Sequence, residues 1–197
     1  MIVGTKRQTG TSHNKIQSFI MSITFYKFSC DKCSFKGDSL VTFGRFLWSH
    51  DGDVFQFDRC MGLCKDCDEI VAMEQFPDAN TVKRAREIRA SHKGAPLGWR
   101  PGRDNAEYLG TQPGFELLEG VLDLNRPPVC LKCGGSAVFP IKLPNDISDQ
   151  TPGAIGVKHP GCQGDIKVQG SGGMRMGMNP ITYIYDINGK LITTLSE

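Results

Sequence analysis

Three C-x-x-C pairs and one H-x-x-C pair constrain this chain of 197 residues more than any other feature. They are Cys30 with Cys33, Cys64 with Cys67, Cys130 with Cys133, and His159 with Cys162. A gap of two residues lets one tight turn aim two side chains at a single ion while backbone N–H groups face the thiolates. Zinc takes four such ligands in a tetrahedron, so two pairs close one site and four pairs close two. Tetrahedral thiolate sites accept iron as well, but the expected cofactor is zinc, two ions per chain.

Which pairs combine is read from the loops between them. Thirty residues separate Cys33 from Cys64, 25 separate Cys133 from His159, and 62 separate Cys67 from Cys130. Sequential pairing closes the shortest loops. It gives a four-cysteine site first, then a site of three cysteines and one histidine. A cross-braced arrangement, first pair with third and second with fourth, straddles the long middle segment and is the less favoured alternative. A redox C-x-x-C opens a helix after a strand, whereas these pairs sit among strand-like segments. Cys60 is left over and reads as a small, partly buried residue. His13, His50 and His92 have no ligand neighbours at useful spacing.

The remaining chain reads as short strands with two helices. Residues 22–29, 40–48, 53–59 and 69–76 are strand-like, with Asp51-Gly52 as a hairpin turn between the second and third. Residues 80–93 predict a helix capped by Asp78 or Asn80 and stopped by Gly94, with Val82, Ala85 and Ile88 as a thin apolar stripe. Residues 114–124 predict a second helix, ended by Pro127-Pro128. Residues 137–143 read as an edge strand because Pro140 interrupts them. The run 165–169 alternates, and 170–173 (Gly-Ser-Gly-Gly) reads as a flexible turn. Met174, Met176 and Met178 alternate on one strand face. Residues 181–187 and 190–195 flank Asn188-Gly189, a strong hairpin signal.

The expected fold class is therefore α+β, mostly small antiparallel β, with two zinc ribbons joined by a helical linker. Residues 1–21 form a tail or a mis-assigned start, with Met21 the alternative start. Residues 22–77 form the first ribbon, 78–129 the linker and 130–197 the second ribbon with the terminal hairpin. No apolar run is long enough for a membrane helix, and no secretory signal is present. The expected location is thus cytoplasmic, where cysteines stay reduced or bind metal.

The net charge is only +2, so no global field favours nucleic acid or a membrane. The first ribbon, with six basic and nine acidic residues, is acidic. The one basic cluster lies on the linker: Lys83, Arg84, Arg86, Arg89 and Lys93, continuing to Arg100 and Arg103, with Trp99 among them. A solvated helix face and a phosphate-binding strip are its two readings.

The segments F-S-C-D-K-C, V-T-F-G, M-G-L-C-K-D-C, R-P-P-V-C-L-K-C-G-G-S, K-H-P-G-C-Q-G-D-I and Y-I-Y-D-I-N-G-K-L-I resemble those of uncharacterised bacterial tandem zinc-ribbon proteins. The resemblance covers most of 22–197. It implies the eight ligands already named and no catalytic residue. Cys60 and the first twenty residues depart from the pattern.

The function expected from these observations is a zinc-binding protein with two structural sites, acting as a binding module for a protein partner. The alternative is a nucleic-acid-binding protein using the basic linker. A thiol redox enzyme is the third reading. The chain has no Ser-His-Asp constellation, His-Glu-x-x-His motif or strand-following GxGxxG, so an enzyme is not expected.

Overall fold

Strand β1 (Ile20–Cys30) is rich in β-branched and aromatic residues, and it finds its main partner far along the chain in β9 (Asp165–Gly177). The computed structural model describes residues 20–91, 105–177 and 181–196. Within that range the fold is α+β, mostly antiparallel, with three sheets and three α-helices among the described residues.

The first sheet has the order β2 (Lys36–Asp38), β1, β9, β8 (Gly153–Lys158). Phe28 pairs with Val168 and Cys30 with Ile166, and all four side chains are buried. The glycines at 170–173 do not form the expected turn; they lie within β9. Another segment comes close to Gly170, where a Cβ would stand 1.9 Å from the side-chain atom Asp149 Oδ1. The Gly170 N–H donates to the Ser148 carbonyl. Glycine in this strand marks a close approach and a bulge beside Tyr26, not a loop. Met174 and Met176 occupy alternate positions of β9, as expected, and Met178 lies outside the described residues.

The second sheet has the order β11 (Leu191–Ser196), β10 (Ile181–Tyr185), β3 (Arg45–His50), β4 (Asp53–Gln56). The expected hairpin at Asp51-Gly52 forms, with φ of 51° and 91°. The expected C-terminal hairpin also forms, its turn tied by Asp186 Oδ1, which accepts from the N–H groups of Asn188 and Lys190. The strand expected over 40–48 is shorter. Its first residues form a 3-10 turn (Ser39–Thr42) capped by Asp38, and Gly44 at φ 123° precedes the strand proper. Strand β10 runs parallel to β3, the one parallel pair among the described strands.

The third sheet has the order β6 (Glu69–Gln75), β5 (Asp58–Cys64), β7 (Val138–Pro140). Pro140 sits on an edge strand, where its missing N–H costs no ladder bond.

Helices α1 (Ala79–Ser91), α2 (Asn105–Gly110) and α3 (Phe115–Asp123) come from the segment expected to act as a linker. They pack as a layer onto the second sheet. Val82 and Ala85 of α1, Leu109 of α2, and Phe115, Leu118 and Val121 of α3 are buried. With Phe46, Trp48, Phe55 and Phe57, most of them build the largest apolar core. Trp48 is fully buried and stacks on Phe57 at 4.3 Å. Asp78 caps α1, accepting from Thr81 N–H and Oγ1. Gly94 and Trp99 lie outside the described residues, as do Lys93, His13 and His92. No helix of the described residues is long and apolar enough to cross a membrane.

A buried ion pair ties this core to the third sheet. Glu74 is fully buried on β6. Both its oxygens are held by Arg126, Nη1 at 2.5 Å and Nη2 at 2.8 Å. Trp48 Nε1 and the Val129 N–H donate to the same carboxylate at 3.0 and 3.1 Å. Arg126 also donates to the Ile187 carbonyl, and its guanidinium lies over Phe76. Removing one partner of such a pair strands a buried charge. Arg126→Met is therefore expected to destabilise the protein by about 3–5 kcal/mol in chemical denaturation. A loss below about 1 kcal/mol, the range of exposed pairs, contradicts this account.

Candidate metal centres

All four metal knuckles close in the same way, between the first ligand and the residue five positions on. The N–H of Cys30 donates to Phe35 O, that of Cys130 to Gly135 O and that of His159 to Gly164 O. Cys64 pairs with Glu69 at the end of the β5–β6 hairpin. Three of the knuckles place the residue after the second ligand in the left-handed region: Asp68 at φ 52°, Gly134 at 76° and Gln163 at 58°. The turn leaves backbone N–H groups facing sulfur, as the spacing predicts. Lys32 N lies 3.4 Å from Cys30 Sγ, Cys67 N 3.4 Å from Cys64 Sγ, and Gly135 N 3.4 Å from Cys133 Sγ.

The knuckles then combine in nested order. Cys30, Cys33, His159 and Cys162 form one cluster, and Cys64, Cys67, Cys130 and Cys133 form the other. In each, the ligand atoms all lie within 4.8 Å of one another. This corrects the sequential pairing, and neither cluster is closed within 22–77 or within 130–197. All eight residues expected as ligands fall in these two clusters, and each cluster draws on both of the expected ribbon segments.

The physical reason is strand pairing. β1 delivers Cys30 beside β9, which begins directly after Cys162, and Asp31 reinforces that junction. Its N–H donates to Asp165 O, and its Oδ1 accepts from the Asp165 N–H at 2.8 Å. The inner cluster is brought together by β7, which follows Cys133 and pairs with β5, ending in Cys64. The 129–131 segment adds a further bond to β6, from the Leu131 N–H to Ala72 O.

Spacing within the inner cluster fits a tetrahedral ion, and the outer cluster is tighter. Sulfur ligands about 2.3 Å from a shared centre stand about 3.8 Å apart. Cys64 and Cys133 Sγ are 3.7 Å apart, and Cys67 and Cys130 Sγ 3.9 Å. In the outer cluster Cys30 and Cys162 Sγ are 3.3 Å apart, and His159 Nδ1 lies 3.5 Å from Cys33 Sγ and 3.3 Å from Cys162 Sγ. Gly164 is needed here, since a Cβ on it would stand 2.4 Å from Cys30 Sγ.

Without a cation these thiols resist joint ionisation. Burial pushes Cys67 well above the ordinary thiol value, with the neighbouring cysteines adding to the shift. Cys130 is pushed up to about 11, mainly by burial. Burial also raises the Cys60 thiol, which is half-buried beside the inner cluster and not among its ligands. A divalent cation offsets the repulsion among the thiolates, the condition under which such a donor set is stable.

The basic segment is arranged differently from a phosphate strip. Arg86 pairs with Glu119 on α3. Arg89 pairs with Glu116 at 2.6 Å, donates to Gln112 O and lies over Phe115. These two arginines hold α1 against α3. Lys83 is exposed, and Arg84 has its own interaction partner. His50 is exposed beside Asp51, away from either cluster.

Sequence reasoning missed two functional residues. Asp68 follows a ligand and reaches the other cluster, with Oδ1 2.8 Å from His159 Nε2. Glu74 follows the apolar run 70–73 of β6, and its burial carried a readable hint, because a charge there needs a partner.

Fold and clusters together define an α+β protein with two four-ligand sites built wholly from cysteine and histidine. No family model, curated protein or solved structure matches the chain.

The nested pairing makes a specific prediction. With cadmium-113 in place of the native ion, the wild type should give two NMR signals, one for each donor set. Cys33→Ser should remove or shift the three-sulfur signal and spare the four-sulfur one. Cys67→Ser should do the reverse, whereas sequential pairing requires both substitutions to affect the same signal.

Proposed function

We propose that the chain is a zinc protein whose two ions are structural, and that it acts as a binding module for a protein partner. The observation that carries this reading is the completeness of the clusters. Each supplies four protein ligand atoms, so a tetrahedral ion has no position left for water or substrate. Such ions contribute to folding, on the order of 10–16 kcal/mol per site by the standard of zinc-finger peptides.

A protein partner is supported by the edge of the second sheet. Strand β11 is exposed along its length, with Leu191, Ile192 and Leu195 about half accessible. An apolar edge with no further strand beside it among the described residues is a template for strand addition or side-chain docking. A nucleic-acid role has less support, since Arg86 and Arg89 are committed to acids of α3.

Native mass spectrometry is expected to find two zinc ions per chain. Their removal by a chelator is expected to abolish most of the strand signal in circular dichroism. One ion or none, with the fold intact, overturns the reading. Iron in both clusters would keep the architecture and change the cofactor. Fluorescence anisotropy with a mixed-sequence oligonucleotide at low salt should show no tight binding. Affinity that falls steeply with salt and is lost on neutralising Lys83, Arg84 and Arg86 would replace the protein-partner reading.

A further inference from the structure

His159 is the one imidazole among the eight ligands, and its two nitrogens have different surroundings. Nδ1 faces the sulfurs of Cys33 and Cys162. Nε2 faces away from them, and the side chain is only 4% exposed. Among the described residues, Nε2 is the one buried side-chain nitrogen or oxygen without a hydrogen bond. Asp68 Oδ1 approaches it to 2.8 Å, close enough for a charged contact but not aligned as a hydrogen bond.

We infer that Asp68 is a positioning residue for the outer metal cluster, and that through it the inner cluster controls the outer one's affinity. This rests on the reading of the two clusters as zinc sites. An imidazole that gives Nδ1 to a metal carries its proton on Nε2, and that proton needs an acceptor. Left buried without one, the N–H loses its hydrogen bond to water with nothing in exchange. A small rotation of the imidazole or the carboxylate brings the Asp68 contact into line. Phe35 packs against the imidazole face at 4.5 Å and limits its other orientations.

Asp68 does not belong to the outer cluster's own knuckles. It directly follows Cys67, a ligand of the inner cluster, in the left-handed position of that knuckle. The ion that closes Cys64, Cys67, Cys130 and Cys133 therefore also holds the turn that aims Asp68. The equivalent positions of two other knuckles hold Gly134 and Gln163, neither of which carries a charge. Asp68 itself is 58% exposed, so water competes for its carboxylate. The effect thus belongs at the lower end of the 10–100-fold range of such partners. Coupling between two binding equilibria is reciprocal, so loading the outer cluster also strengthens the inner one.

The test uses the full chain loaded with cobalt(II) and titrated with a competing chelator. The three-sulfur and four-sulfur clusters are distinguished by their thiolate-to-cobalt absorption. Asp68→Gly removes the carboxylate and tolerates the left-handed backbone. It is expected to weaken the outer cluster about tenfold and leave the intrinsic affinity of the inner one unchanged. Asp68→Asn keeps an acceptor oxygen and should recover part of the loss. In the zinc-loaded protein, the His159 Nε2 proton should be protected from exchange in the wild type and exposed in Asp68→Gly. At half loading, native mass spectrometry should show more single-ion protein in Asp68→Gly than in the wild type. Two ions bound normally, with both affinities unchanged in Asp68→Gly, overturns the inference. So does equal weakening of both clusters, which reports general destabilisation. Fewer than two ions in the wild type instead refutes the zinc reading beneath it.

Discussion

The antiparallel ladder between β1 and β9 decides which ligands can meet, and with that it decides the architecture. It carries Cys30 to the start of β9, three residues after Cys162. Metal chemistry does not favour this arrangement over sequential pairing, because both give one four-cysteine cluster and one with a histidine. Loop closure does favour the sequential order, but weakly. Closing 125 residues between Cys33 and His159 instead of 30 between Cys33 and Cys64 costs about 1.2 kcal/mol at about 0.6 per doubling. Burial of Phe28, Ile166 and Val168 against each other offsets that several times over, at roughly 1.5–3 kcal/mol for each large side chain.

The Glu74–Arg126 pair does comparable work at the centre. Its carboxylate faces the Trp48 indole of the largest core, and its backbone N–H donates to Val129, next to the ligand Cys130. Arg126 reaches across to the turn that precedes β11 through Ile187. The turn glycine, Gly189, has φ 81°, and a Cβ there would stand 2.3 Å from Val129 Cγ2. One buried charge thus sets the third knuckle, the helical layer and the C-terminal hairpin against one another. A hydrophobic pair of equal volume would have filled the space without fixing these directions.

Much of this was legible locally. The eight clustered Cys and His residues, both hairpin turns, α1 with its Asp78 cap, α3 and the edge position of Pro140 follow from short-range chemistry. What was not legible depends on contacts between distant segments. The order of ligand pairing is one case, since spacing reports only loop length. Gly170 is another: a strand glycine beside the close-lying Asp149 looks in sequence like a glycine required by a turn. Helix α2 is short and draws its stability from packing on α1, where Gly110 lies against the Ala85 carbonyl. The segment expected to be a linker therefore became a core layer, despite the thin apolar stripe of α1.

The three cores are unequal, and this bears on what the ions do. The largest joins Trp48 and its aromatic neighbours to three helices and contains none of the eight ligands. The other two are smaller and are built around cysteines: Cys30 with Phe28, Phe35 and Ile166 in one, Cys64 and Cys130 with Val71 and Val138 in the other. In those two, the ligand side chains are themselves core residues. Without an ion, thiolates held together in an apolar space repel one another and either protonate or pull the strands apart. The aromatic core has no such dependence. Ions in the two clusters would therefore act where burial alone is insufficient, joining the first and third sheets to a part of the fold that apolar packing already supports.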